Sequence, residues 1–138
     1  MAVQELQQKE DTVNILIVDD EPEVAEVLAR SLSRQGHQTT VSHSGADALK
    51  RIDETAVDAM FLDVSMPGMN GLQVLEEVKR RRPALAVVVI TGNATPEEVE
   101  EVKRLGAVDV IAKPSALTHY HRAIERLGSS KNPFPERS

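Results

Sequence analysis

The chain has no cysteine and no tryptophan, and its aromatic residues amount to two phenylalanines and one tyrosine in 138 positions. Without cysteine there is no disulfide framework, no thiolate nucleophile and no Cys-ligated zinc, and nothing calls for an oxidising compartment. Long hydrophobic runs are missing too. The longest, Ala84–Ile90, falls far short of the roughly 20 residues that span a bilayer. The opening MAVQELQQKEDTVNILIVDDE has no cationic segment ahead of an apolar one, so no signal peptide is expected and the predicted location is cytoplasmic, away from membranes. Positive charge is in deficit: 16 Lys and Arg stand against 22 Asp and Glu, a net charge of −6. The broad cationic footprint of a nucleic-acid binder is therefore lacking, and no direct nucleic-acid binding is expected. Neither GxGxxG nor GxxxxGK[ST] occurs, which removes the phosphate cradles of those nucleotide sites. HExxH is also absent, and the histidines (His37, His43, His119 and His121) are scattered, so zinc is not selected and they are expected at the surface.

What is present is a repeating alternation of short apolar runs and amphipathic stretches, in a length that suits one domain of roughly 100–150 residues. Residues 1–12 are polar and charged and are expected to form a flexible arm. Val13–Val18 is an apolar, β-branched run of the kind buried on both faces of a parallel sheet. Pro22 then opens a helix whose stripe is read as Val24, Val27, Leu28, Ser31 and Leu32, and Gly36 closes it. Four further units follow: strand Gln38–Ser42 with a helix over about 46–52, strand Ala59–Leu62 with a helix over 72–82, strand Ala86–Ile90 with a helix from Pro96 to Gly106, and strand Val108–Ile111 with a helix over about 117–127. Residues 128–138, GSSKNPFPERS, lack periodicity and are expected to be a polar tail or a truncated linker, while Met1 and the arm suggest a native start. Five strands alternating with five helices predict a single α/β domain over 13–127 with a parallel sheet.

In such a sheet, ligands bind beyond the carboxyl ends of the strands. Those ends carry Asp19, Asp20 and Glu21 after the first strand, Asp63 after the third, Thr91 after the fourth and Lys113 after the fifth. Each has an ordinary reading as cap, turn residue or solubilising charge. Together, carboxylates on one rim repel one another unless a cation neutralises them. Oxygen ligands without nitrogen or sulfur suit Mg²⁺, and a metal with an ammonium and a hydroxyl suits a phosphoryl group. Asp63 stands singly at a central strand end and is the candidate to accept that group covalently. Asp19 and Asp20 are paired as metal holders. Asp20→Asn is expected to lose Mg²⁺ affinity and to gain stability without metal.

These residues at these spacings resemble the receiver domain of the two-component response regulators, of the kind typified by the chemotaxis response regulator. The resemblance covers residues 13–127 and implies a three-layer (βα)5 flavodoxin-like sandwich with strand order 2-1-3-4-5. It further implies that Asp20 touches Mg²⁺ directly and Asp19 through water, and that Asp63 and the backbone carbonyl of Ser65 join them as ligands. Asp63 is then the phosphoacceptor, Thr91 followed by Gly92 the switch hydroxyl, and Lys113 the phosphate-binding lysine, with a cis bond to Pro114. Pro67–Gly68 and Gly71 match the family's turn. The implied donor is the phosphohistidine of a sensor histidine kinase or a histidine phosphotransfer protein in a bacterial phosphorelay. The acylphosphate is then lost to water, and the partner binding it controls involves a downstream target or output domain the sequence does not identify. The implied state is a monomer or a weak phosphorylation-dependent dimer, with no metabolic activity of its own. The chain departs from the pattern at Val110, where an aromatic ring is usual, and at Ser115, where Phe is frequent. An alternative is a pseudo-receiver, an interaction module with weak or no phosphorylation-driven switching. A haloacid-dehalogenase-like phosphatase fits poorly, because no DxD ends the first strand and there is no room for a cap domain.

Overall fold

The computed structural model describes residues 13–65 and 70–129. The expected arm (1–12), most of the expected tail and Met66–Met69 of the turn after Asp63 lie outside the described residues. Five parallel strands form one sheet in the order β2-β1-β3-β4-β5, with β1 at Asn14–Val18, β2 at Gln38–Ser42, β3 at Ala59–Asp63, β4 at Ala86–Thr91 and β5 at Asp109–Ala112. The helices between and after them are α1 (Pro22–Ser33), α2 (Gly45–Glu54), α3 (Gly71–Arg81), α4 (Pro96–Arg104) and α5 (Leu117–Ser129).

Alternation along the interior strands divides the core in two. Ile15 and Ile17, Phe61, and Val88 and Ile90 face α1 and α5, meeting Leu28, Leu32, Tyr120 and Ile124. Leu16 and Val18, Met60 and Leu62, and Val87 and Val89 face the other layer, against Ile52 of α2, Leu75 and Val78 of α3 and Val102 of α4. A strand covered on both sides needs apolar residues at every position, which is why these strands read as unbroken runs. The pair Phe61 and Tyr120 meets edge to face, ring centroids 5.4 Å apart and planes at 70°, joining the central strand to the last helix.

The face expected for α1 is corrected by the structure. Ala25, Leu28 and Leu32 are buried, while Val24 and Val27 are 47% and 54% exposed. A small alanine lets the helix lie close to the sheet, so packing turns Ala25 inward although valine is the more apolar residue. At β5 the strand starts one residue later than expected, leaving Val108 exposed. The histidines lie at the surface as expected, His43 and His119 exposed and His37 and His121 half-buried, and each has a local partner. The His43 ring donates to the Asp19 carbonyl at 2.9 Å, His37 accepts the Val13 N–H at 3.2 Å, and His121 pairs with Ser31 across α1 and α5 at 2.6 Å.

Candidate functional site: an acidic rim facing a lysine and a threonine

The three interior strands, β1, β3 and β4, deliver the carboxylates and the hydroxyl of the site, and the edge strand β5 leads into its lysine. Asp19 follows β1 directly and is 3% exposed. Its Oδ1 accepts the Glu21 N–H at 2.9 Å, an Asx-type turn that fixes the carboxylate as the chain enters α1. Asp20 and Glu21 are exposed, and one oxygen from each of Asp19, Asp20 and Glu21 lies within 4.8 Å of the others. Three hard oxygen donors this close could hold a divalent cation.

Asp63 ends β3 and is 1% exposed. Its Oδ1 accepts both the Ser65 N–H, at 2.9 Å, and the Ser65 hydroxyl, at 2.8 Å. Its Oδ2 accepts from Lys113 Nζ, which also lies 3.8 Å from Glu21. Lys113 is held by its backbone N–H, which donates to the Thr91 carbonyl at 2.8 Å, and by a cis bond to Pro114. Thr91 ends β4 and is 1% exposed. Its hydroxyl donates to Glu98 and accepts the Asn93 N–H at 3.0 Å. The spacings in sequence thus converge: Asp19, Asp63, Thr91 and Lys113 share one end of the sheet. Glu21 groups with the Asp19–Asp20 pair, while both oxygens of Asp63 are engaged by Ser65 and Lys113.

The electrostatics follow from burial. Burial pushes the Asp19 carboxyl above its ordinary value; the Glu21 N–H opposes the shift and the charge of Asp63 adds to it. For Lys113 burial acts to lower the value, but the hydrogen bond and charge of Asp63, with Asp19 and Glu21 behind, outweigh it and leave the ammonium more basic than usual. An acid held above its ordinary value costs folding stability once it ionises. The penalty is absent below the ordinary carboxyl value of 3.8 and grows as pH rises through the raised one. The stability relief expected for Asp20→Asn therefore belongs to Asp19, since the Asp20 carboxylate is already in water. Asp19→Asn, whose side-chain oxygen still accepts from Glu21, should melt about 3 °C higher than the natural protein at pH 7 in metal-free buffer. The gap should close as pH falls toward 4. Equal melting temperatures at pH 7 would refute the account.

Two residues escaped the sequence reading. Thr95 and Glu98 have the spacing of a helix capping box, and the Thr95 hydroxyl does accept the Glu98 N–H at 3.1 Å. The signal was visible, but it does not foretell that the Glu98 carboxylate reaches Thr91. Glu21 was legible as a rim acid, though not its approach to Lys113. Val110, at the position where the resemblance leads one to expect a ring, is half-buried against the α2–α4 side of the core.

The same fold and sequence pattern are found among known proteins. A putative NtrX-like response regulator of Rickettsia bellii is 36% identical over 104 residues, covering 74% of this chain and 22% of the relative. The transcriptional regulatory protein MalR of Bacillus subtilis is 35% identical over 129 residues, covering 87% of this chain and 55% of the relative. The chain thus spans between about a fifth and about half of the length of these two relatives. The crystal structure of the receiver domain of NtrX from Brucella abortus superposes with a TM-score of 0.78 at 34% identity, over 85% of this chain and 99% of that one. The family model of the response regulator receiver domain matches residues 15–125, and the chain belongs to that family.

Proposed function

We propose that Asp63 is the phosphoacceptor of a two-component phosphorelay, charged by the phosphohistidine of a sensor histidine kinase or a histidine phosphotransfer protein. A carboxylate oxygen of Asp63 attacks phosphorus, an O–P bond forms as the N–P bond breaks, and the imidazole departs. The observation that carries this reading is a carboxylate buried at a central strand end, in contact with an ammonium and flanked by an acidic trio.

Asp19 and Asp20, with Asp63 and the Ser65 carbonyl, would hold Mg²⁺, the ion that an all-oxygen set favours. Bound there, it would supply positive charge against the phosphoryl oxygens. The protein's own groups do the rest. Ser65 fixes the carboxylate through two donors, and Lys113 balances its charge before transfer and the phosphoryl oxygens afterwards. Thr91 provides a hydroxyl that binds the phosphoryl group and relays its presence to α4. Cytoplasmic location fits the absence, among the described residues, of any helix long and apolar enough to cross a membrane.

The test is direct. Incubation with Mg²⁺ and an acyl phosphate, then borohydride trapping and peptide mass spectrometry, should place the adduct on Asp63 alone. Asp63→Asn should not label. Label on another residue, or full labelling of Asp63→Asn, would overturn the assignment. The pseudo-receiver alternative is favoured by one feature, the missing ring at Val110. It predicts no phosphorylation-dependent NMR shifts in α4 and β5.

A further inference from the structure

The Thr91 hydroxyl has one proton to give, and in the phosphoryl-free protein Glu98 already takes it. Thr91 is 1% exposed, so water does not offer its proton an easy alternative, and a buried hydroxyl is costly to leave without a partner. A phosphoryl group on Asp63 would present anionic oxygens, the same class of acceptor. One proton cannot serve both.

We propose that Glu98 is a latch: a carboxylate that competes with the aspartyl phosphate for the Thr91 hydroxyl, holds the domain in its resting arrangement, and sets how strongly a phosphoryl group must bind to switch it. This rests on Asp63 being the phosphoacceptor.

The latch is built by local structure. Thr95 caps α4 and Pro96 opens it, which places Glu98 in the first turn where helix geometry favours an acid. Its carboxylate leaves the helix to meet Thr91 at the end of β4, so the contact joins the rim directly to α4. That helix is otherwise lightly held, with Val102 alone buried among its residues. When the phosphoryl group takes the Thr91 proton, Glu98 loses its partner, and α4 loses its tether to the rim. Glu98 is a positioning residue, acting through Thr91 and touching no reacting atom.

Beryllofluoride, a tetrahedral phosphoryl mimic, makes the competition measurable by titration of the Mg²⁺-loaded protein. Glu98→Ala should bind it roughly tenfold more tightly, the size expected for losing one hydrogen bond to a charged group. Glu98→Gln keeps an uncharged acceptor and should fall between. Glu97→Ala, which removes an exposed acid from the same turn, should match the natural protein and so control for helix electrostatics. With Thr91→Ala in the background, removing Glu98 should change nothing. Unchanged or weaker binding by both Glu98 variants, or tightening that persists without the Thr91 hydroxyl, would overturn the latch. Failure of the natural protein to bind beryllofluoride at all would overturn the phosphoacceptor reading beneath it. Should Glu98→Ala fold poorly, Glu98→Gln still decides the question.

Discussion

Alanine in place of Gly71 should cost about 3 kcal/mol of stability and most of the phosphorylation activity. A Cβ on residue 71 would fall against the Val64 Cα, 2.6 Å from the Val64 Cβ and 2.8 Å from its carbonyl oxygen. Backbone cannot rotate out of the way as a flexible side chain can, so either α3 or the strand end must move. Val64 follows Asp63, and its N–H is fixed to the Ile90 carbonyl at 3.0 Å. A shift there would carry Ser65 with it and pull two donors off the Asp63 carboxylate. Fold and chemistry should therefore fail together in Gly71→Ala. Denaturant titration and acyl-phosphate labelling of the same preparation check it, and a natural midpoint with natural labelling would show that α3 does not pack this closely on the loop.

Lys113→Ala should separate metal binding from phosphoryl transfer. The lysine side chain is 27% exposed and its partner Asp63 1%, so this is a largely desolvated pair, unlike the surface pairs along the helices. Removing the ammonium leaves Asp63 buried and unbalanced, at a cost of about 2 kcal/mol at neutral pH. Because Lys113 is more basic in the folded protein, its contribution is complete below the ordinary lysine value of 10.5 and disappears as pH rises through the raised one. The natural and variant proteins should thus converge in stability only in strong alkali. Labelling should slow about 100-fold, the usual effect of losing one preorganised charge at a reaction centre. Mg²⁺ should bind equally well or slightly better, since the rim becomes more negative. Arginine should not rescue the rate, because a planar fork does not replace a compact ammonium. A variant matching the natural protein in stability, rate and metal affinity would reduce Lys113 to a surface charge.

The fold was readable because a parallel sheet makes few demands that sequence hides. Ile15–Val18, Ala59–Leu62 and Ala86–Ile90 are buried on both faces and so are apolar throughout, and each run stops at a polar residue where the strand meets the rim. The same property exposed most of the candidate site, since Asp19, Asp63 and Thr91 are the residues that interrupt the pattern. Side-chain reach was hidden. Glu98 lies seven positions beyond Thr91 and carries an obvious local explanation as a helix-start acid; nothing in the sequence reveals which way its carboxylate turns. The α1 face was misread for a related reason. Hydrophobicity ranks Val24 above Ala25, but fit against the sheet is decided by volume, and the smaller residue goes inside.

The placement of Asp19, Asp63 and Thr91 at the ends of β1, β3 and β4 has a consequence for the timescales of the molecule. These are the interior strands of the sheet, and their backbone amides should exchange with solvent only when the whole domain unfolds. Helix α4, anchored by Val102, should open and exchange orders of magnitude faster. A phosphoryl group arriving at Asp63 would thus meet a centre that does not fluctuate on the timescale of the chemistry, while the helix one contact away samples its alternatives many times over. Such a separation lets the output be re-set repeatedly without disturbing the geometry that receives the signal.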